Sequence, residues 1–118
     1  MEYITKDSGD RKEFASGMKR DSQTSKVRYD LVDMGMLKRW AELMGRGAEK
    51  YGDHNWKLAN GAEELNRFKE SAFRHFMQWF NGENIEEDHA AAVYFNIAGA
   101  EYVWGRLNAA DKQPKKTD

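Results

Sequence analysis

Ala62-Glu-Glu-Leu-Asn-Arg-Phe-Lys-Glu-Ser-Ala-Phe-Arg-His-Phe-Met-Gln-Trp-Phe-Asn-Gly82 is the stretch that decides the fold. Leu65, Phe68, Ala72, Phe76 and Trp79 recur at steps of three and four, with Phe80 beside them, which is the period of one face of an α-helix. Asn60-Gly61 marks a turn before this run, and Gly82 is suited to end it because glycine takes the left-handed conformation without a Cβ penalty. Working backwards, Leu37, Trp40, Ala41, Met44, Ala48 and Tyr51 form a second helical stripe, which Asp33 can cap and Gly52 can stop. Working forwards, a third helix is expected from about Glu86 to Asn108, with Val93, Ile97, Ala100, Trp104 and Leu107 inward and a small flank at Ala91, Ala98 and Gly99. Alternating β patterns are absent. The expected fold class is all-α: an antiparallel bundle of three main helices plus an irregular N-terminal arm, completed by oligomerisation.

The organisation expected along the chain is an arm over residues 1–26, one all-α domain over 27–110 and a disordered tail over 111–118. The arm is rich in Ser, Asp, Lys and Gly with few apolar anchors, and the tail holds the single proline. The length of 118 residues suits one domain. Four Trp, five Tyr and six Phe supply one core, but a chain this small buries a modest share of its surface, so association with further copies is expected. With 19 Lys+Arg against 20 Asp+Glu, net charge gives no reason to expect a nucleic-acid polymer or a membrane surface as partner. The absence of cysteine removes disulfide, thiolate-nucleophile and thiolate-metal chemistry. No apolar run approaches the ~18 residues that span a bilayer, and no signal-peptide pattern stands at Met1, so a cytoplasmic location is expected.

Three polar residues share a face with the apolar stripes. At about 100° per residue, His75 points within roughly 40° of Phe68 and Trp79, and His89 and Asn96 lie within roughly 60° of Val93 and Ala100. A buried polar group without a partner costs about 1–3 kcal/mol, so each requires a side chain, water, metal or ligand. Hydrogen bonding across the helix interface is one way to meet that requirement. The acidic corner Gly82-Glu-Asn-Ile-Glu-Glu-Asp-His89 offers another. Its carboxylates are either a solvated corner with helix N-terminal acids or oxygen ligands for Mg²⁺ or Mn²⁺. If they bind metal, Glu83, Asp88, His89 and Asn96 converge at one bundle end and face His75. A second candidate surface has Lys50 and Arg28 to hold phosphates and Tyr51 and Trp56 to stack on a base, though ordinary loop packing accounts equally for Trp56 and Asn55. Walker, dinucleotide, serine-elbow and two-histidine zinc motifs are absent from the sequence.

The segments Lys26-Val-Arg-Tyr-Asp-Leu-Val32, Gly47-Ala-Glu-Lys-Tyr-Gly-Asp-His-Asn-Trp56, Arg74-His-Phe-Met-Gln-Trp-Phe-Asn-Gly-Glu83 and Glu87-Asp-His-Ala-Ala-Ala-Val-Tyr-Phe-Asn96 resemble, in order and spacing, the phage-associated dATP/dGTP diphosphohydrolase family. That family is similar to the MazG-like all-α nucleoside triphosphate pyrophosphohydrolases. The resemblance implies metal-dependent cleavage of a deoxynucleoside triphosphate, dATP or dGTP, to monophosphate and pyrophosphate, in the host cytoplasm if the protein is phage-encoded. It implies Glu83, Asp88, His89 and Asn96 as metal residues, and Glu83, His75 and His89 as catalytic ones. Lys50 and Arg74 would neutralise phosphate charge, with Tyr51, Asn55 and Trp56 on the nucleoside. The chain departs from the MazG-like pattern where Glu63-Glu64 is followed by Arg67 rather than a third glutamate. The alternative reading is therefore a non-catalytic protein that sequesters a nucleotide, of the phage counter-defence type, and a third is a structural helix bundle.

Overall fold

Asp33 opens the first long helix in the computed structural model, which describes residues 2–7, 9–22, 26–83 and 86–112. Its carboxylate accepts a hydrogen bond of 3.0 Å from the Met36 amide, satisfying one of the helix's orphan donors. Helix α1 runs Met34–Tyr51 and ends at Gly52, whose φ of 91° needs a residue without a Cβ. A short 3-10 turn, Asn55–Leu58, leads to α2, Ala62–Phe80, and then to α3, His89–Lys112. The third helix starts at His89 rather than near Glu86, because Asp88 Oδ1 accepts from the Ala91 amide at 3.1 Å and so occupies the capping position. Among the described residues no helix is long and apolar enough to cross a membrane.

The chain divides into two units, Met1–Val32 and Asp33–Asp118. In the first, β1 (Arg11–Glu13) pairs antiparallel with β2 (Lys19–Asp21), and Tyr29–Leu31 form a 3-10 turn. This hairpin replaces the irregular arm expected from sequence. It has no alternating apolar face to announce it: it turns at Gly17, with φ of 90°, and the Phe14 amide donates to the Met18 carbonyl at 2.8 Å. The tail expected to be disordered lies, from residue 113 on, outside the described residues.

In the second unit α2 and α3 run antiparallel, since Phe68 meets Phe95 and Gly99 while His75 meets His89. Helix α1 runs in the direction of α3: Arg39 reaches Asp88 and Trp40 reaches Tyr94, whereas the turn after α1 reaches Tyr102 and Arg106. The inward face of α3 is not the one the large residues mark. Ala91, Ala92, Asn96, Ala100 and Val103 are buried, whereas Ile97 and Trp104 are about half exposed, at 51% and 52%. On α2, Phe76, Trp79 and Phe80 also remain exposed rather than inward, as do Leu37 and Tyr51 on α1. The cause is that α3 has apolar residues spread around its whole circumference, with no dominant face, so periodicity does not choose one, and the small side brings backbones closest together. Gly99 marks the tightest point, where an added Cβ would fall inside the van der Waals envelope of the Phe68 ring.

Gly99→Ala is expected to cost about 1–3 kcal/mol through overpacking, lowering the urea midpoint followed by tryptophan fluorescence. Gly105, in the same helix, has open space around its missing Cβ. Gly105→Ala is expected to raise stability by about 0.5–1 kcal/mol through helix propensity alone.

Candidate functional site

A cleft of about 750 Å³ opens in the helical unit. One wall is α1, with Leu43, Gly47, Lys50 and Tyr51; the opposite wall is α2, with Glu64, Arg67, Phe68, Ser71 and His75. Ala92, Phe95 and Asn96 of α3 line it from below, and Asn55 and Trp56 of the 3-10 turn line one end. Glu86, Glu87 and Asp88, just before α3, line it as well.

The turn is fastened to α3 so that Trp56 is fixed in place. Its indole lies edge-on to Tyr102 and Phe95, with centroids 5.1 and 6.3 Å away. Arg106 donates to the carbonyls of Lys57 and Ala59 at 2.7 and 3.1 Å. The Asn60 amide donates to the Glu64 carboxylate at 2.9 Å, a contact of the capping-box kind that sets the start of α2.

The chemistry concentrates at His75 and His89. Their Nδ1 atoms lie 2.9 Å apart, so one must carry the hydrogen and the other the lone pair. His89 is buried, at 4% exposure. Burial holds the His75 pKa below the ordinary histidine value, and the positive charge of Arg74 and the facing His89 act in the same direction against the opposing pull of Glu87. Glu87 Oε2 stands 3.7 Å from His89 Nδ1. One ligand atom from each of His75, Glu87 and His89 falls within 4.8 Å of the others, a donor set of two imidazoles and one carboxylate.

Asp88 is bound in another way. Arg39 grips it with Nε at 2.8 Å and Nη2 at 2.7 Å, and the same carboxylate caps α3 through Ala91. The Arg39 hydrogen bonds hold its carboxyl below the usual range despite partial burial. Asn96 is buried and donates through Nδ2 to the Ala92 carbonyl at 2.8 Å. Glu83 and Arg74 are exposed and do not line the cleft. Arg28 belongs to the N-terminal unit, where it forms a two-pronged pair with Asp30 at 2.9 and 2.7 Å. Lys50, Tyr51, Asn55, Trp56, His75, Asp88 and Asn96 all line the cleft, and His89 backs it through His75.

Sequence reading named Glu87 only as part of the acidic corner and Arg67 only as a departure from the MazG-like pattern, and it did not single out Arg39 or Arg46. Two of these carried a signal: Arg67, Ser71 and His75 are spaced by four along one side of α2, as Arg46 and Lys50 are on α1. Arg39 carried none, because its partner lies 49 residues away.

A family model described as "dATP/dGTP diphosphohydrolase, N-terminal" matches residues 16–112. Neither the curated proteins nor the solved structures contain a match to the chain.

Removing the Asp88 carboxylate takes away a cap and an interhelix pair together. Asp88→Ala is expected to cost about 1–2 kcal/mol in chemical unfolding. Arg39→Ala is expected to cost less than about 1 kcal/mol, because the guanidinium is half exposed and screened. The double variant is expected to match Asp88→Ala closely, since the two share one interaction.

Proposed function

The chain belongs to the dATP/dGTP diphosphohydrolase N-terminal family, and from that we propose that its cleft hydrolyses a purine deoxynucleoside triphosphate to the monophosphate and pyrophosphate. The family's name denotes a diphosphohydrolase. The observation that carries the reading on this chain is the His75–Glu87–His89 cluster beside a cleft lined by cations and aromatic rings. In the reaction a water oxygen bonds to the α-phosphorus, the bond to the α–β bridging oxygen breaks, and pyrophosphate leaves with that electron pair.

Three residues, His75, Glu87 and His89, fit a divalent ion, and two imidazoles with one carboxylate suit Mn²⁺ better than Mg²⁺, which prefers oxygen ligands alone. When bound, such an ion supplies positive charge to the phosphates and acidifies bound water. Lys50 and Arg67, without ion-pair partners among the described residues, neutralise the triphosphate together with Arg46. Glu86 lines the cleft without a partner among the described residues, and in this reading its carboxylate takes the water's proton. Tyr51, 70% exposed, offers its ring to the base, while Trp56 forms a rigid wall and Asn55 a hydrogen-bonding edge. Asp88 and Asn96 shape the site through α3. Glu83, Arg74 and Arg28 have no part in this reading. The cytoplasm is the compartment that supplies such a substrate.

One observation favours a second reading. Arg39 and the Ala91 amide occupy the Asp88 carboxylate, so fewer acids are free at the corner than four sequence neighbours promised. A protein that binds a nucleotide without cutting it would have the same cleft. Incubation with each dNTP and Mn²⁺ or Mg²⁺, followed by chromatography, separates the two. Turnover of dATP or dGTP to monophosphate and pyrophosphate is expected, reduced about a hundredfold or more in His75→Ala and Glu87→Gln. Saturable binding without monophosphate would leave the sequestering protein, and neither binding nor turnover would remove both.

We also infer a homo-oligomer. Phe73, Phe76, Met77 and Phe80 form an exposed stripe on α2, and Tyr94, Ile97 and Trp104 another on α3. Light scattering at micromolar concentration is expected to give a dimer or larger, and a clean monomer would refute the association.

A further inference from the structure

The hairpin of the N-terminal unit carries a charge arrangement that its own pairing does not explain. Its register sets Arg11 against Asp21, Lys12 against Arg20 and Glu13 against Lys19. The outer two pairs are of opposite sign and share one face, where Arg11 Nη1 meets Asp21 Oδ1 at 2.7 Å. The middle pair is two cations directly opposite one another on the other face, an arrangement that destabilises a strand pair. A two-stranded hairpin is marginal by itself, and an anion bound between the two cations would relieve the repulsion at its centre.

A groove of about 650 Å³ in this unit is lined by Lys12, Phe14, Arg20 and Asp21 of the hairpin and by Ser22, Lys26 and Arg28 after it. Arg20 and Lys26 have no ion-pair partner among the described residues. Asp21, the acid among the lining residues, is already held by Arg11, and Arg28 is taken up by Asp30. Phe14 is 41% exposed, and the Lys12 ammonium sits 5.6 Å from its ring centroid. Cations beside a part-exposed aromatic ring are components of a nucleotide subsite, a phosphate on the charges and a base against the ring.

We propose that this groove is a second phosphate-binding site, sharing no described residue with the cleft, which takes a nucleotide phosphate between Lys12 and Arg20 and its base on Phe14. The phosphate is supplied either by a free nucleotide or by a single nucleic-acid strand. Net charge does not reveal such a patch, because acids of the same unit, Asp7, Asp10, Glu13, Asp21 and Asp30 among them, offset its cations in the count.

The test uses the full chain and the anisotropy of fluorescein-labelled oligothymidylate of about 15 nucleotides, with unlabelled dTMP as competitor at matched ionic strength. The decisive variants are Arg20→Glu and Lys12→Glu. Each replaces the repulsive cross-strand pair by an attractive one, so the hairpin is favoured and lost binding is not lost folding. Affinity is expected to fall about tenfold or more in each variant, with a shallower salt dependence. Affinity that rises with strand length assigns the site to a strand, and displacement by dTMP as effective per phosphate assigns it to the free nucleotide. Absence of binding, or equal affinity in wild type and both variants, overturns the proposal.

Discussion

The close approach of α2 and α3 at Gly99 is the constraint on which the helical unit depends. The Phe68 ring occupies the space where any other residue at position 99 would carry its Cβ. Burial of Ala91, Ala92, Ala100 and Val103 along the same side of α3 extends that approach over several turns. Small residues bury little apolar area each, and their value lies in the dispersion contacts made when two backbones come near. Phe95 then meets both Phe68 and Trp56, so the 3-10 turn registers on the same helix.

That approach also brings two histidines from different helices to 2.9 Å between Nδ1 atoms. Such a pair accommodates one proton fewer than two free imidazoles would, and burial of His75 favours the neutral form. Neutral imidazoles are the form in which histidine ligates metal. Asp88 and Arg39 hold the start of α3 against α1, which keeps His89 and Glu87 at the same end of the cleft. The ion pair is therefore better understood as positioning than as a source of much stability, given its partial exposure.

The helical unit has few large side chains in its interior. Val103 is the largest that is fully buried among the described residues, while aromatics on α2 and α3 stay half exposed. A chain of 118 residues has a high ratio of surface to volume, and part of its aromatic content cannot be enclosed by its own three helices. The cleft uses some of that surplus, since Tyr51 and Trp56 line it together with Phe95. The stripes on the outer sides of α2 and α3 are the remainder.

Much of the architecture was readable from local rules. Asp33 as a cap, Gly52 as a stop and the run from Ala62 to Phe80 depend on neighbours within one or two turns, and the structure has them where the sequence placed them. The burial of His89 and Asn96 agrees with their helical angle, while His75 is half-buried. Other features were not readable. The hairpin at Arg11–Asp21 has no apolar alternation and is held by charges and one glycine turn. The buried side of α3 could not be chosen, because a helix whose apolar residues are spread around its circumference has no dominant period. The sequence by itself determined which residues form helices and which polar groups share their apolar faces, since both are set by spacing along one chain segment. Only the tertiary structure decided that Asp88 belongs to Arg39, that Glu87 stands with the two histidines and that Arg67 lines the same cleft as Lys50, because each is a meeting of segments that sequence distance does not encode.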